Sequence, residues 1–260
     1  MKRIIFLVAI VILVSCNNQQ EAEQHSGNNK EDILEKAQRE ESEIDVSPDA
    51  IVLEPEKIDP DSIRTFETEK KPQNAEIAVL FRQGTVAYEN SEFERGIELF
   101  NQIVAIDPNE SRAYYNLGVG YLKLDKFGES LRAFSTAIQL SPEDAAAIQY
   151  RGRVYYMMGD FKKCLADYDR VVQLKPEDPA SYYNRGTARG RVNNYTGSIE
   201  DFDRAIELNP EYAEAYYNRG LANYYKGQLH EACYDWRKAL NLGHFAAERA
   251  LKTYCEGGTN

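Results

Sequence analysis

The side chains in this 260-residue sequence whose types and spacing best suit a chemical role are charged pairs set a fixed distance apart. Arg151, Arg185 and Arg219 are each followed sixteen residues later by an aspartate: Asp167, Asp201 and Asp235. Two earlier stretches with the same surrounding pattern carry Gln83 with Leu99, and Leu117 with Ala133, at those places. Arginine and aspartate occur together or not at all. An ion pair between two packed elements explains this, because a buried charge that loses its partner is costly. Catalysis finds no comparable foothold. His25, His230 and His244 have no carboxylate or cysteine at ligand or nucleophile spacing, and no glycine-rich phosphate loop follows a strand pattern. The expectation is a protein without catalytic activity, metal or small-molecule cofactor.

These pairs must be positioned by elements that repeat as they do. Pro108, Pro142, Pro176 and Pro210 are 34 residues apart, and Gly84, Gly118, Gly152, Gly186 and Gly220 keep the same step. Sixteen residues after each glycine comes an aromatic: Phe100, Phe134, Tyr168, Phe202 and Trp236. Four before each aromatic is a small residue: Gly96, Ser130, Cys164, Ser198 and Ala232. Within Ser111–Leu140, apolar residues recur at helical spacing in two runs, Tyr114, Leu117, Tyr121, Leu122 and then Leu131, Phe134, Ile138, interrupted by Asp125-Lys126. Ser141-Pro142-Glu143 reads as the cap, first proline and acidic first turn of the next unit. Each glycine falls inside a helix, at a cost of about 1 kcal/mol against alanine, which makes sense where two helices approach closely.

A period of 34 with this pattern resembles the tetratricopeptide repeat, a helix–turn–helix unit. The resemblance implies an all-α, right-handed solenoid of five units, at about 75–108, 109–142, 143–176, 177–210 and 211–244. One unit cannot bury its own apolar face, so neighbours stack and leave a concave and a convex surface. Family members line the concave groove with the first helix of each unit. That implies a row of Phe81, Tyr115, Gln149, Tyr183 and Tyr217, with Asn116, Asn184 and Asn218 beside it and Arg153 in the same groove. Tyrosine and asparagine suit recognition of an extended partner segment, through contact area and adaptable hydrogen bonds. The recurring Tyr-Tyr-Asn serves equally well as sequence that simply folds the repeat. Some members clamp a terminal carboxylate with lysines and arginines, but the matching slots here hold Phe81, Thr85, Asn116, Ala146 and Tyr150. Arg189-Gly190-Arg191 replaces bulky residues of the neighbouring units. It is read as a loosely packed unit with exposed arginines, or with Arg151, Arg153 and Arg185 as a basic patch.

Ahead of the repeats, residues 17–76 hold 17 acidic and seven basic side chains, so nearly all of the net charge of −11 sits there. The repeats are close to neutral, which argues against nucleic acid as partner. The polar stretch 16–74, with Pro48, Pro55, Pro60 and Pro72, cannot bury enough to order itself and reads as a disordered tether spanning roughly 40–45 Å r.m.s.. Lys2-Arg3 followed by Ile4–Val14 has the form of a secretory signal, too short to span a bilayer. Its end, Leu13-Val14-Ser15-Cys16, resembles the lipobox of bacterial lipoproteins. The resemblance implies removal of residues 1–15, lipid on Cys16 and a membrane-anchored mature chain. Asn17 favours the outer membrane, facing the periplasm.

After the fifth unit, His244 stands where a proline is due, and Phe245, Ala246, Ala250, Leu251 and Tyr254 outline one amphipathic helix over 245–256. A terminal repeat needs such a cap over its open face. Antiparallel packing of that helix on the last repeat brings Cys233 and Cys255 together, and export puts them where disulfides persist. Cys164, in a small-residue slot, reads as a buried thiol. The sum is a membrane-tethered scaffold of the bacterial envelope that binds a protein partner. Capture of a glycan or peptide for uptake, and a structural part in a secretion or motility assembly, are the alternatives.

Overall fold

A computed structural model describes residues 72–256. The signal and tether assignments, Cys16 included, lie outside the described residues, except that the first helix already begins at Pro72. Eleven α-helices are present among the described residues: α1 (Pro72–Glu89), α2 (Phe93–Ile106), α3 (Ser111–Lys123), α4 (Phe127–Leu140), α5 (Ala145–Met157), α6 (Phe161–Leu174), α7 (Pro179–Arg191), α8 (Tyr195–Leu208), α9 (Ala213–Tyr225), α10 (Leu229–Asn241) and α11 (Ala246–Ala250). Each odd-numbered helix from α1 to α9 pairs with the even one after it, and each pair packs on the next. The architecture is the all-α solenoid implied by the spacing. First helices of successive units also touch directly, α3 with α5 and α7 with α9, which sets them on the inner radius of the stack.

The repeating residues explain why the pairs close. The aromatic of each second helix is buried against the first helix at its glycine. A Cβ on Gly118 would stand 2.6 Å from the Phe134 ring, and one on Gly220 2.6 Å from the Trp236 indole nitrogen. Phe100, Phe134, Phe202 and Trp236 have no solvent exposure, so these rings form the spine of the core. The small slot completes the contact: Ser130 Oγ donates to the Gly118 carbonyl at 2.8 Å, and Ser198 Oγ to that of Gly186 at 2.7 Å. Between the helices of each pair the chain turns through one left-handed residue, Ser91, Asp125, Gly159, Asn193 or Gly227, again 34 apart. Only two of the five are glycine. Asparagine and aspartate tolerate that conformation through local hydrogen bonding; serine does so less readily.

Two local expectations are corrected. Ser141 does not cap α5. It closes α4, its N–H bonded to the Ala137 carbonyl at 2.8 Å, and Pro142-Glu143 lie in the turn. The N-cap is Asp144, whose carboxylate accepts from Ala147 N–H at 3.1 Å. Pro179, after the Asp178 cap, takes the first-helical-residue role. The terminal element is also not one uniform helix. After α11 the chain widens into a π-helical turn over Leu251–Cys255, with the Glu256 N–H bonded five residues back to Leu251. Ala247, Ala250 and Leu251 face α10, while Phe245, counted above as part of the apolar face, is 78% exposed because it precedes the first packed turn.

Candidate binding groove

Residues meant for pairing and residues meant for recognition share the first helices, so the pairs come first. Arg151 reaches Asp167 at 2.7 Å, Arg185 reaches Asp201 at 2.6 Å, and Arg219 reaches Asp235 at 2.6 Å, each within its own unit. Nε of each arginine also donates to the same carboxylate, giving the two-point geometry that suits guanidinium and carboxylate. The carboxylates are nearly inaccessible. Burial pushes the Asp201 and Asp235 carboxyls above the ordinary aspartate value even with their arginines in place. Burial works to lower the Arg219 guanidinium too, but hydrogen bonds and charge from Asp235 and Asp203 outweigh it, and the group ends higher.

The arginines also reach backward, which the sixteen-residue spacing does not reveal. Arg185 Nη1 lies 3.0 Å from Asp169 of the preceding unit, and Arg219 Nη1 2.6 Å from Asp203. Arg151 finds the Ser135 hydroxyl there, at 3.4 Å. Each arginine thus bridges two units, and the three form a ladder along units two to five. A signal for this was present: Asp167-Tyr168-Asp169 and Asp201-Phe202-Asp203 carry a second aspartate where an arginine follows at the next such place, and Asp235-Trp236-Arg237, where Thr253 stands at that place, does not. Asn223 adds a bond to Asp235 at 3.1 Å.

Nor is the fourth unit loose. Arg189 occupies the place of Tyr121 and Tyr155, lies 3.0 Å from Asp201, and donates to the Gly197 carbonyl at 3.1 Å. Arg191 lies over the Tyr156 and Phe161 rings, 5.7 and 5.4 Å from their centroids. With Arg151 and Arg185 in ion pairs, the five arginines do not make one basic patch.

Most of the aromatic-and-asparagine row is not groove surface. Phe81, Tyr115 and Asn116 are essentially inaccessible, and Tyr183, Asn184 and Asn218 are buried. They knit units together instead. Asn218 Nδ2 donates to the Tyr183 hydroxyl of the unit before it at 2.9 Å, and the Asn116 main-chain carbonyl accepts from the Tyr88 hydroxyl at 2.9 Å. The physical reason is the tight stacking of first helices, which rolls each unit over its predecessor's aromatic. Tyr217 is half-buried and stacked on His244, with centroids 4.4 Å apart. Gln149 and Arg153 remain partly accessible.

What the inner face does offer is a cleft of about 160 Å³ between α3 and α5, lined by Val119, Leu122, Lys123, Asp125, Tyr150, Arg153 and Met157. Of these only Arg153 belongs to the set read from sequence. At the chain's end, Cys233 and Cys255 form a disulfide with Cα atoms 5.8 Å apart, tying the π-helical turn to α10. Cys164 is a buried free thiol whose pKa burial pushes well up. Among the described residues no three His, Cys, Asp or Glu side chains gather as metal ligands would, and no helix is long and apolar enough to cross a membrane.

Family models described as "Tetratricopeptide repeat" match residues 81–125, 111–144, 152–216 and 202–234. The chain is a tetratricopeptide repeat protein. No curated protein matches its sequence. Solved tetratricopeptide structures share the fold. MamA of Desulfovibrio magneticus RS-1, from residue 41 to its end, aligns over 67% of this chain and 96% of its own at 20% identity and TM-score 0.62. Another MamA crystal structure covers 64% of this chain and 96% of that one, at 22% identity and TM-score 0.59. YrrB, described as a TPR protein with an unusual peptide-binding site, aligns at 23% identity and TM-score 0.58 over 65% of this chain and 88% of its own. Likeness at such identities concerns the fold.

Proposed function

We propose that this protein is a non-catalytic scaffold of the bacterial envelope, held to a membrane by lipid on Cys16, that grips a partner protein by an extended segment lying along the first helices. The observation that carries the gripping role is the cleft on the inner face between α3 and α5. It is partly accessible, mixes apolar and charged lining, and is about the size of one side chain, which suits a peptide better than a free glycan. The ion-pair ladder supports the same division of labour, because its charges are engaged in joining units. The fold shared with YrrB, described as having a peptide-binding site, adds support. The anchor rests on Lys2-Arg3, the apolar run Ile4–Val14 and Leu13-Val14-Ser15-Cys16, and Asn17 favours the outer membrane and its periplasmic face.

Photo-crosslinking side chains placed at Gln149 and Arg153 on the first-helix face, and at Arg132 and Gln173 on second helices, test the groove in intact cells. Partner adducts from the first pair with none from the second are expected. The reverse would refute the groove.

A further inference from the structure

The first helix of the stack is apolar on a face that every later first helix keeps covered. Val79 and Val86 of α1 are 49% and 47% exposed. In the later units the place of Val79 is taken by Ala113, Ala147, Ser181 and Ala215, and that of Val86 by Gly120, Val154, Ala188 and Ala222, all of them buried. Gly120 shows what does the covering. A Cβ there would stand 2.8 Å from Ile97 Cγ1 and would also meet the Tyr88 ring, both in the unit before. At the far end of the solenoid α11 and its π-helical turn lie over α10. The near end needs an equivalent cover, since stacked repeats leave an apolar face at each end.

The chain itself brings an occupant to this face. Ser62, Ile63 and Phe66 stand 34 residues before Gly96, Ile97 and Phe100, so the small, apolar and aromatic column of the second helices begins ahead of the first unit. The column breaks at Glu69 and Lys70, where the next second helix has Ile103 and Val104, so the match is one short stretch and not a sixth unit. Within it, Ile63 is to Val86 what Ile97 is to Gly120. The reach is sufficient with α1 as it stands. Nine residues from Ile63 to Pro72 extend to about 30 Å, while Val86 lies about 21 Å along α1 from Pro72, with about 8–10 Å between packed axes. Phe66, six residues from Pro72, reaches Val79 on the same count. A second copy suits the face less well. Antiparallel pairing of two α1 helices with Val79 on Val86 sets Glu76 against Glu89 at both ends, like charge on like.

We propose that residues 62–66 fold back along α1 and cover Val79 and Val86, Ile63 on Val86 and Phe66 on Val79, so that the chain closes its own first unit. The free length of the tether then ends near residue 61, and the solenoid is held to it along α1 rather than at a single point.

A photo-crosslinking side chain at Gln83, exposed beside the two valines, tests this in the purified full chain. An adduct within one chain, mapped by mass spectrometry to residues 61–67, is expected, and Ile63→Asp/Phe66→Asp should abolish it. An arginine-specific protease gives a second reading with Arg39 as internal reference. Covering should slow cleavage at Arg64 by about tenfold relative to Arg39, and the double variant should bring the two sites to parity. An adduct joining two chains would assign the face to a second copy and overturn the proposal. So would an intrachain adduct that survives the double variant, the absence of any adduct, or equal cleavage at Arg39 and Arg64 in the unaltered chain.

Discussion

Removing the terminal disulfide should unfasten the end of the solenoid before anything else. The cap, α11 and the π-helical turn after it, packs mainly on α10, with Tyr254 also against Tyr224 of α9, 4.6 Å between centroids, and buries Ala247, Ala250 and Leu251. The Cys233–Cys255 bond closes a span of 22 residues. In the chain-entropy estimate such a closure contributes about 11 cal/mol/K, or about 3.4 kcal/mol at 25 °C, roughly 300-fold in the equilibrium between attached and detached cap. The chain reports on this locally. Its single tryptophan, Trp236, lies in the last repeat, fully buried, with the Tyr254 ring of the cap 5.9 Å away. Cys233→Ser/Cys255→Ser should therefore shift the urea midpoint of Trp236 fluorescence downward by on the order of 1–3 M. The far-UV dichroism midpoint, dominated by units one to four, should move much less. Reducing agent should shift the unaltered chain in the same way. A fluorescence midpoint that does not move, or that moves together with the dichroism, would refute a locally stapled cap.

Other perturbations test other joints. Asp235→Ala, which leaves Arg219 only the half-exposed Asp203 as carboxylate partner, should cost about 2–4 kcal/mol, whereas Asp203→Ala, which keeps the buried pair, should cost under about 1 kcal/mol by chemical denaturation. Because burial raises the Asp235 pKa on folding, that carboxyl's stabilising contribution is present below its unfolded value and lost as pH rises through its folded one. The stability of the unaltered chain relative to Asp235→Asn should thus fall as pH increases across the carboxylate range, and a difference that grows instead would contradict the burial argument. Gly118→Ala should destabilise by about 1–2 kcal/mol against the Phe134 ring, while Gly128→Ala, with nothing closer than 3.9 Å, should stabilise by about 0.5 kcal/mol in thermal melts. Cys16→Ser should leave the protein unprocessed or release it from the membrane fraction, and normal cleavage with retained membrane association would remove the lipid anchor from the proposal.

What the sequence reveals of this protein is equivalence: which residues stand at the same place in successive units. Period alone therefore reached the helix pairs, the glycine–aromatic contacts and the residue types that could pair. It does not reveal how far one unit rolls over the next. That roll decides that Tyr115 and Asn116 are interior while Arg153, one turn on, lines a cleft. The backward half of the ladder was legible in Asp167-Tyr168-Asp169, but only to a reading that asked what the second aspartate was for. The misplaced cap at Ser141 has a simpler source. A four-residue turn must fit between α4 and α5, so the proline falls in the turn and the carboxylate at its far end, Asp144, takes the cap. Nothing in Leu251–Cys255 separates an α from a π turn by composition.

The arginine ladder also fixes how the molecule would yield under load. Its ion pairs join units three, four and five and Arg151 ties unit three to Ser135 of unit two, whereas the joint between units one and two has the Tyr88–Asn116 hydrogen bond, apolar packing and Arg112 over the Phe81 ring, 5.4 Å from its centroid. A pull applied at Pro72 enters the stack at this end, outside the ion-pair ladder. Units should peel one at a time, each letting out about 110–120 Å of extended chain, with resistance rising once the force reaches Arg151. The stack would then act as a mechanical fuse, paying out length from its Pro72 end while the disulfide-closed far end stays folded.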